Sequence, residues 1–490
     1  MSEIENELKM SRLNKLAKLA SHGINAYPSK FDASHKNQEL HDQYKNLENE
    51  VVTDDVVKVA GRIMSIRNSG MFIDLHDVTH KIQVFTHLEG LSGDVYKVLE
   101  NLDIGDHIGV EGTIRRTKRG ELTVNTTSIW ILTKTLLPLP EKYHGLQDIE
   151  TRYRQRYLDL IMNPQSRNRL RDRSKIVSSL RSYLTSLGFL EVETPMLHAI
   201  PGGAAAKPFV THHNTLDMDM YLRIAPELYL KRLVVGGLWD KVFEVNRSFR
   251  NEGISTRHNP EFTMMELYQA YADYNDMMKL TENIVEHLAT TVLGTTSITY
   301  QGKEIDLKGP WARKSMTELV LEKTGIDFLA LNAQESREKV KSIGLTVDKN
   351  ASWGKCIETV FGERVEKFLI QPTHVIDLPL DISPLAKVHP KDPRLTERFE
   401  SYINAWEIGN AFSELTDPID QKQRFEAQVS ARDEGDDEAH LMDQDFICAL
   451  EYGLPPTGGL GIGIDRLIMI LTDAPSIRDV IAFPTLRKVE

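Results

Sequence analysis

Residues 56–133 carry the pattern that most restricts the fold, because apolar and polar side chains alternate there with a period of two. Gly and Asp residues interrupt the alternation, and one helical stretch is predicted near residues 91–102. Five strands with a helix between the third and the fourth is the order of an OB-fold, a small closed barrel. We therefore expect a barrel domain over residues 56–135.

One face of this barrel presents side chains that could contact a nucleic acid base. In residues 71–76 the apolar positions take the core parity, which places Phe72 on the outward face. The same parity places Gln83 and Glu121 outward. An aromatic ring with hydrogen-bonding neighbours suits the recognition of a single-stranded base. The alternative is a Phe72 that is simply covered by the amino-terminal helix.

The flanks of the barrel differ from it in pattern. Residues 1–55 are predicted to be a helical segment that begins with an amphipathic helix over residues 4–22. Residues 136–164 are expected to form a linker. The first ten residues contain three Glu and no apolar targeting stretch, and the chain has no apolar run of membrane-spanning length. We expect a protein that is neither secreted nor embedded in a membrane.

The chain from residue 165 to residue 490 is expected to form one larger domain of mixed α+β type. A long helix is predicted over residues 165–187, with a strand after it at residues 189–195. The strands and helices that follow lack the regular alternation of a doubly wound sheet. This favours a largely antiparallel sheet flanked by helices.

A predicted hairpin in this domain joins residues 241–250 to residues 261–268 through a loop rich in turn and charged residues. Arg250 ends the first strand, and Phe262 opens the second. Arg suits bidentate binding of a phosphate, and Phe suits stacking on a flat base. The hairpin could therefore hold a nucleotide.

Glycines alternate with apolar residues in a later strand. Gly459, Gly461 and Gly463 leave one face of this strand without side chains, and Arg466 follows at the start of a helix. A flat ligand could approach that face, and tight packing between strand and helix would explain the glycines equally well. The glycines lie in the strand, so they do not form a Rossmann fingerprint.

Two carboxylates, Glu400 and Glu407, precede a strand face that carries Asn410 and Glu414. Hard oxygen ligands beside a triphosphate suit Mg²⁺. The alternative is that these carboxylates are merely solvated, and the choice depends on whether a nucleotide site lies beside them.

Net charge, cysteine content and a missing motif argue against several classes of protein. A formal net charge of -12 argues against a protein that binds nucleic acid through overall basicity. Cys356 and Cys448 are the only cysteines, which favours a reducing compartment such as the cytoplasm. The chain contains no G-x-x-x-x-G-K-[ST] loop, so a P-loop NTPase is unsupported.

Three segments resemble, in order, the three motifs of the class II aminoacyl-tRNA synthetases. They are the helix and strand that end at Pro195 (about 165–197), FEVNRSFRNEG with RHNPEFTMMELY (about 241–268), and GLGIGIDR (about 457–472). RYRQRYLDLI, IPGGAAAKPF, YLRIAPELYLKRL and EIGNAFSEL resemble the lysine-specific, bacterial-type members. With the barrel, the resemblance spans nearly the whole chain.

The resemblance implies ATP-dependent activation of L-lysine to lysyl-adenylate and transfer to tRNA(Lys), with release of AMP and diphosphate. It also implies Mg²⁺ as the cofactor, a homodimer built around the first motif, and an anticodon-binding barrel. It implies Arg250 as the catalytic residue at the α-phosphate.

Matching by position gives the remaining site residues. The implied ATP-binding residues are Arg250, Glu252, His258, Asn259, Phe262 and Arg466. The implied lysine-binding residues are Gly203, Glu227, Glu266, Tyr268, Asn410, Phe412, Glu414 and Gly461. The implied Mg²⁺ ligands are Glu400 and Glu407, and the implied anticodon-binding residues are Arg67, Phe72, Gln83 and Glu121.

The matched pocket favours a cationic amino acid over the acidic or amide substrates of related enzymes, because it supplies Glu227, Glu266 and Glu414. Two rival functions share parts of the pattern. A lysyl ligase that modifies a translation factor would lack the barrel, and a noncatalytic RNA-binding paralogue would have lost Arg250 and Arg466. The barrel pattern, Arg250 and Arg466 are all present in this sequence, which argues against both rivals.

Overall fold

The structure is a computed structural model that describes residues 3–87, 93–140, 146–433 and 441–488. Residues 91–92 of the expected barrel helix and residues 141–145 of the expected linker lie outside the described residues. The chain divides into two compact units, Met1–Gln147 and Asp148–Glu490. No helix among the described residues is both long and apolar enough to cross a lipid bilayer.

The first unit is the predicted OB-fold with helices around it, and its strands form a closed barrel in the order β1-β2-β3-β5-β4. Its helices are α1 (Glu3–Ser21), α2 (Asn37–Gln43) and α3 (Gly93–Glu100). Its strands are β1 (Val52–Arg67), β2 (Phe72–His76), β3 (Lys81–Phe85), β4 (His107–Arg116) and β5 (Leu122–Thr133).

Period-two alternation builds this barrel, as the sequence predicted. Ile73 and Leu75 of β2 and Ile82 and Val84 of β3 are buried in its core, while the residues between them face outward. The helix α3 lies between the third and the fourth strand. Burying alternate side chains of five paired strands closes the sheet on itself and leaves it without an open edge.

The helix α1 packs differently from its apparent pattern. An amphipathic helix is expected to leave its charged residues exposed, yet Arg12 is buried. Its guanidinium donates to the carbonyl oxygens of Ile104 and Leu137 and to Thr135 Oγ1. A guanidinium can be buried when backbone oxygens accept its hydrogen bonds, which periodicity alone does not reveal.

The second unit is of the expected α+β type, but it begins at Asp148 and has two helices where the sequence predicted a linker. Its helices are α4 (Ile149–Arg154), α5 (Arg156–Met162), α6 (Pro164–Ser186), α7 (Glu227–Val235), α8 (Tyr274–Leu293), α9 (Met316–Thr324), α10 (Ala333–Ser342), α11 (Trp353–Arg364), α12 (Pro418–Asp433), α13 (Gln444–Glu451), α14 (Ile464–Leu471) and α15 (Ile477–Val480). Its strands are β6 (Leu190–Glu191), β7 (Leu197–His198), β8 (Val210–His213), β9 (Met218–Leu222), β10 (Lys241–Phe249), β11 (Glu261–Ala270), β12 (Ser297–Tyr300), β13 (Lys303–Asp306), β14 (Ala312–Ser315), β15 (Thr373–Ile376), β16 (Arg398–Ile403), β17 (Trp406–Ser413) and β18 (Thr457–Gly463).

Eight of these strands form one sheet in the order β14-β15-β16-β17-β18-β11-β10-β6. All neighbours are antiparallel except the outer pairs β14-β15 and β10-β6. The helices α6, α8 and α14 cover one face, where Ile176, Leu180 and Leu184 of α6 are buried as the helical pattern predicted. The opposite face is left for a cavity.

The strand predicted at residues 189–195 is much shorter than expected. Only Leu190–Glu191 pairs with β10, and the Val192 backbone N–H donates a last hydrogen bond to the Phe243 carbonyl. Thr194 then donates its hydroxyl to the Glu244 carboxylate, and Pro195 cannot donate to a neighbouring strand. The chain therefore leaves the sheet after only two paired residues.

Candidate active site

A cavity of about 410 Å³ lies on the exposed face of the sheet, over β11, β17 and β18. The register explains why, since Glu266 lies opposite Gly461 and Gly461 lies opposite Asn410. Every residue that the sequence assigned to ATP, lysine or Mg²⁺ lines this cavity. They are Gly203, Glu227, Arg250, Glu252, His258, Asn259, Phe262, Glu266, Tyr268, Glu400, Glu407, Asn410, Phe412, Glu414, Gly461 and Arg466.

One end of the cavity combines cationic and aromatic groups. The Arg250 guanidinium lies 5.2 Å from the centre of the Phe262 ring, and its Nε is buried without a hydrogen-bond partner among the described residues. Burial lowers the pKa of Arg250. Arg466 donates from Nη1 to the Glu407 carbonyl and lies 3.0 Å from His258 Nε2. A flat, anionic ligand fits between such groups.

The side chain of Asn259, which the resemblance implied as ATP-binding, is already hydrogen-bonded within the protein. It lines the cavity, but its Nδ2 donates to the Glu261 carbonyl at 2.6 Å and its Oδ1 accepts from the Thr485 backbone N–H. Its side chain therefore braces the loop between β10 and β11.

The glycines of β18 serve two purposes. A Cβ on Gly459 would lie 2.0 Å from Glu414 Oε1 and 2.7 Å from Tyr268 Cε1, so this position must be Gly for packing. A Cβ on Gly461 would meet only ordinary contacts of 3.4 Å or more, and one on Gly463 contacts of 3.8 Å or more. Gly461 and Gly463 thus leave open space above the strand, where a ligand can approach.

The other end of the cavity is acidic and buried. Glu227, Glu266 and Glu414 are each under a tenth exposed, and Tyr268 donates its hydroxyl to Glu266 Oε2 at 3.1 Å. Burial raises the pKa of all three carboxyls, that of Glu266 to about 8 and that of Glu414 well above its ordinary value. Glu414 Oε1 has no hydrogen-bond partner in the part of the chain that the structure describes. This end is suited to a cation.

Lys231, which sequence reasoning missed, lies among these carboxylates. Its Nζ is 2.5 Å from Glu227 Oε1 and also forms an ion pair with Glu414 Oε2. Burial alone would lower the pKa of Lys231, but the two carboxylates raise it. The only signal in the sequence is its spacing, one helical turn after Glu227.

Glu400 and Glu407 lie beside the nucleotide-like end. Glu400 accepts from Arg398 Nη2 and from the Tyr402 hydroxyl, each at 2.8 Å, and burial raises its pKa to about 7. Glu407 Oε2 lies 3.5 Å from Arg466 Nη1. Among the described residues no group of three or more His, Cys, Asp or Glu side chains could hold a metal by itself.

Comparison with known proteins agrees with this geometry. A family described as tRNA synthetases class II (D, K and N) matches residues 148–487, and an OB-fold nucleic acid binding domain matches residues 57–132. A lysine-tRNA ligase of Carboxydothermus hydrogenoformans is 56% identical over 98% of each chain. One of Sinorhizobium medicae is 54% identical over 99% of this chain and 98% of the relative.

The chain belongs to the lysine-tRNA ligase family of class II aminoacyl-tRNA synthetases. Its cavity lies within the matched synthetase region, and its barrel within the matched OB-fold region.

The barrel of this synthetase brings the four predicted anticodon residues to neighbouring strands. Arg67 pairs in register with Phe72, and Gln83 pairs with Thr123 of β5. Glu121 directly precedes this strand. Arg67 Nη2 donates to Asp74, Gln83 Oε1 accepts from the Thr123 hydroxyl, and Glu121 lies 3.5 Å from Lys81. The four side chains therefore share one outer face.

This face holds a second aromatic ring that the sequence analysis did not single out. Phe85 lies opposite Phe72 in register, with ring centres 5.1 Å apart. The Arg115 guanidinium lies 4.0 Å from the Phe85 ring centre. The parity that placed Gln83 outward applies equally to Phe85, so the signal was present in the sequence.

Proposed function

We propose that this synthetase activates L-lysine with ATP to lysyl-adenylate and transfers the lysyl group to tRNA(Lys), with release of AMP and diphosphate. The observation that carries the proposal is the unpartnered Glu414 Oε1 in a buried acidic pocket beside a cationic, aromatic platform. A buried acceptor without a partner is costly, and an ammonium group from a ligand would satisfy it.

The platform end is assigned to ATP. Arg250 would contact the α-phosphate, while Phe262 and Arg466 would enclose the adenine ring between them. Glu252, His258 and the loop braced by Asn259 would contact the rest of the nucleotide. The buried, unpartnered Nε of Arg250 and the open space over Gly461 and Gly463 support this placement.

The acidic end is assigned to lysine. Glu227 and Gly203 would receive the α-amino group, Asn410 the carboxylate, and Glu414 with Tyr268 the side-chain ammonium. Glu266, Phe412 and Gly461 would line the pocket. The burial of the three carboxylates supports a cationic ligand, since a buried carboxylate gains most from a partner of opposite charge.

The chemistry requires no nucleophilic side chain. An oxygen of the lysine carboxylate attacks the α-phosphorus, the new O–P bond forms as the α–β bridge breaks, and diphosphate leaves. Arg250 stabilises the charge that develops on the phosphate oxygens. A ribose hydroxyl at the tRNA terminus then attacks the lysyl carbonyl carbon, and AMP leaves. Holding both substrates in one cavity supplies the proximity.

The acidic pair Glu400 and Glu407 fits Mg²⁺ with ATP bound. Mg²⁺ commonly takes one or two protein carboxylates and completes its shell with phosphate oxygens and water, so two carboxylates suffice. Bound there, Mg²⁺ would neutralise charge on the phosphates.

Proton release on lysine binding is expected at pH 7. The pKa of Glu266 is raised to about 8, first by burial and then by the charge of Glu227. An incoming ammonium favours the ionised carboxylate, so binding should expel a proton and lysine affinity should rise as the pH increases toward about 8. The folded state holds this proton above the ordinary pKa of 4.5, so the contribution of Glu266 to stability falls over the same pH range.

Titration calorimetry in two buffers of different ionisation enthalpy measures this release. We expect release at pH 7 that is lower by close to one proton per site in Glu266→Gln than in the wild type. Equal release by both proteins would assign the proton to another group.

Recognition of the tRNA anticodon is assigned to the barrel face. We expect Phe72→Ala to lower kcat/KM for aminoacylation by about 10-fold or more, because stacking on one base contributes about 1–3 kcal/mol. Lysine-dependent exchange between ATP and diphosphate should be unchanged. Tyr96→Ala, which removes another exposed aromatic ring of the same unit, is the control. Equal losses in both reactions for Phe72→Ala would contradict the anticodon role.

A homodimer is also proposed. Leu187, Leu190, Leu238 and Trp239 form an exposed apolar patch where α6 ends, held together by the Trp239 Nε1 hydrogen bond to the Gly188 carbonyl. The patch includes Leu190 of β6, the edge strand of the main sheet. A second copy covering it would remove this apolar surface from water. The cytoplasm is the proposed location, where tRNA and ATP are both present.

Exchange of labelled diphosphate into ATP tests the function directly. We expect exchange that depends on lysine, followed by lysine transfer to a tRNA(Lys) transcript. Absence of lysine-dependent exchange would favour a noncatalytic RNA-binding protein. Exchange without tRNA charging, but with lysylation of a protein, would favour a ligase that modifies a translation factor.

A further inference from the structure

The buried ammonium of Lys231 has no part in the function proposed above. Lys231 is 1% exposed and lies on α7, four residues after Glu227. Its Nζ contacts Glu227 Oε1 at 2.5 Å and Glu414 Oε2. One fixed cation therefore joins the two carboxylates that are assigned to the two amino groups of the substrate.

Aromatic rings fix the position of this ammonium. The ring centres of Tyr268, Phe412 and Phe446 lie 5.9, 5.4 and 5.8 Å from Lys231 Nζ. Faces of aromatic rings attract a cation, most strongly where water is excluded. With three rings and two carboxylates around it, the ammonium has little freedom to move.

The bridge limits which oxygens can receive the substrate. Because one ammonium contacts both carboxylates, the oxygens of Glu227 and Glu414 that face Lys231 lie within about 6 Å of each other. Lys231 already contacts both of these inner oxygens, so they are not free to receive the two nitrogens of lysine. The outer oxygens remain, and the outer oxygen of Glu414, Oε1, has neither a hydrogen bond nor an ion pair among the described residues, whereas Oε2 is paired with Lys231.

Lys231 also sets the charge of the pocket. Glu227 and Glu414 together can carry two negative charges, and Lys231 neutralises one of them. A second strongly basic group pushed deeper than Oε1 would meet the Lys231 ammonium and be repelled. The deep end of the pocket therefore accepts one substrate ammonium, at Glu414 Oε1.

We propose that Lys231 is a positioning and specificity-determining residue, a spacer that fixes the separation of Glu227 and Glu414 and thereby selects the chain length of the diamino acid. The proposal rests on the function proposed above. Ornithine, one methylene shorter than lysine, cannot reach both outer oxygens while the spacer holds them apart. Without the spacer the carboxylates are free to approach a shorter substrate.

The ratio of kcat/KM for lysine to that for ornithine, measured by exchange of diphosphate into ATP, tests the spacer. We expect this ratio to fall at least 10-fold in Lys231→Met and Lys231→Ala, with the KM for ATP unchanged. A ratio measured within one protein does not depend on the fraction that is correctly folded. A loss of folded protein therefore cannot mimic the effect.

Chemical rescue distinguishes a spacer from a general structural role. Lys231→Ala leaves room for a small alkylammonium, so ethylammonium should restore the discrimination in that variant. It should not do so in Lys231→Met, where the methionine side chain fills the space. Wild-type protein with the same ethylammonium concentration corrects for competition with the substrate.

Lys134 provides a matched control in the other unit. It is 2% exposed and likewise joins two carboxylates, those of Asp103 and Asp106, at 2.5 and 2.7 Å. Lys134→Met should leave the ratio of lysine to ornithine unchanged.

Two results would overturn the spacer, namely an unchanged ratio in both Lys231 variants or an equal fall in Lys134→Met. If the wild type shows lysine-dependent exchange of diphosphate into ATP and the Lys231 variants keep the wild-type ratio of lysine to ornithine, only this inference is refuted. Wild-type protein without lysine-dependent exchange would refute the proposed function.

Discussion

Glu414→Gln should lower kcat/KM for lysine in the exchange reaction by about 30-fold or more, because truncating one partner of a buried, charge-assisted contact costs about 2–5 kcal/mol. Glutamine keeps the shape of the side chain but offers the substrate ammonium a neutral amide. Glu414 Oε1 is the unpartnered oxygen at the deep end of the pocket, so no other described group replaces it.

The same substitution should leave the free energy of unfolding within about 1 kcal/mol of the wild type. Burial raises the pKa of Glu414 well above its ordinary value, so the ionised carboxylate contributes little net stability. Lys231 keeps its contact with Glu227 in the variant. Urea denaturation measures the stability, and the slope of the transition shows whether the same surface is exposed.

Glu282→Gln is the matched control for this experiment. Glu282 is also buried and pairs with His374, but it does not line the cavity. Its substitution should leave kcat/KM for lysine unchanged. Lysine-dependent exchange at the wild-type rate in Glu414→Gln would remove the basis for placing the side-chain ammonium there.

Arg250→Ala should lower kcat for adenylate formation by about 100- to 1000-fold, with little change in the KM for either substrate. Removing one preorganised donor from the charge that develops in a transition state has an effect of this size. Arg250 is half-buried at the platform end and its Nε is buried without a hydrogen-bond partner among the described residues, so it is held ready for an anionic ligand.

Two further variants sharpen this test. Arg250→Lys should recover little activity, because an ammonium lacks the planar fork of a guanidinium. Arg247→Ala, three residues earlier on β10 and outside the cavity, should stay within about threefold of the wild type, since surface ion pairs contribute little. A rise in the KM for ATP at unchanged kcat would instead mean that Arg250 binds ground state and transition state equally.

Much of the fold follows from local patterns in the sequence. Alternation with a period of two predicted the barrel, and the helical spacing of apolar residues predicted a long helix over residues 165–187, which the structure shows as α6. These predictions succeeded because each depends on residues close together in the chain.

The features that the sequence did not predict depend on distant contacts. The sequence marks Lys231 only by its spacing of four residues from Glu227, and only the fold brings Glu414, the residue after β17, to its ammonium. Arg12 is buried because carbonyl oxygens more than ninety positions away accept its hydrogen bonds. Buried charge is decided by its partners, and periodicity carries no information about partners from other elements.

The site itself was found through a resemblance, and its roles stay predictions. The structure brings every assigned residue of the synthetase region to one cavity, but which of them contacts ATP and which contacts lysine depends on ligands. Asn259 shows that position in the cavity does not establish a role. It lines the cavity as expected, but its side chain forms hydrogen bonds to the backbone of Glu261 and Thr485.

A crystal structure with lysine and a nonhydrolysable ATP analogue tests the central claim most directly. We predict the lysine ε-nitrogen within hydrogen-bonding distance of Glu414 Oε1, the α-nitrogen at Glu227, and the adenine ring between Phe262 and Arg466. A structure in which Glu227 and Glu414 contact only Lys231, with lysine bound elsewhere, would contradict the account.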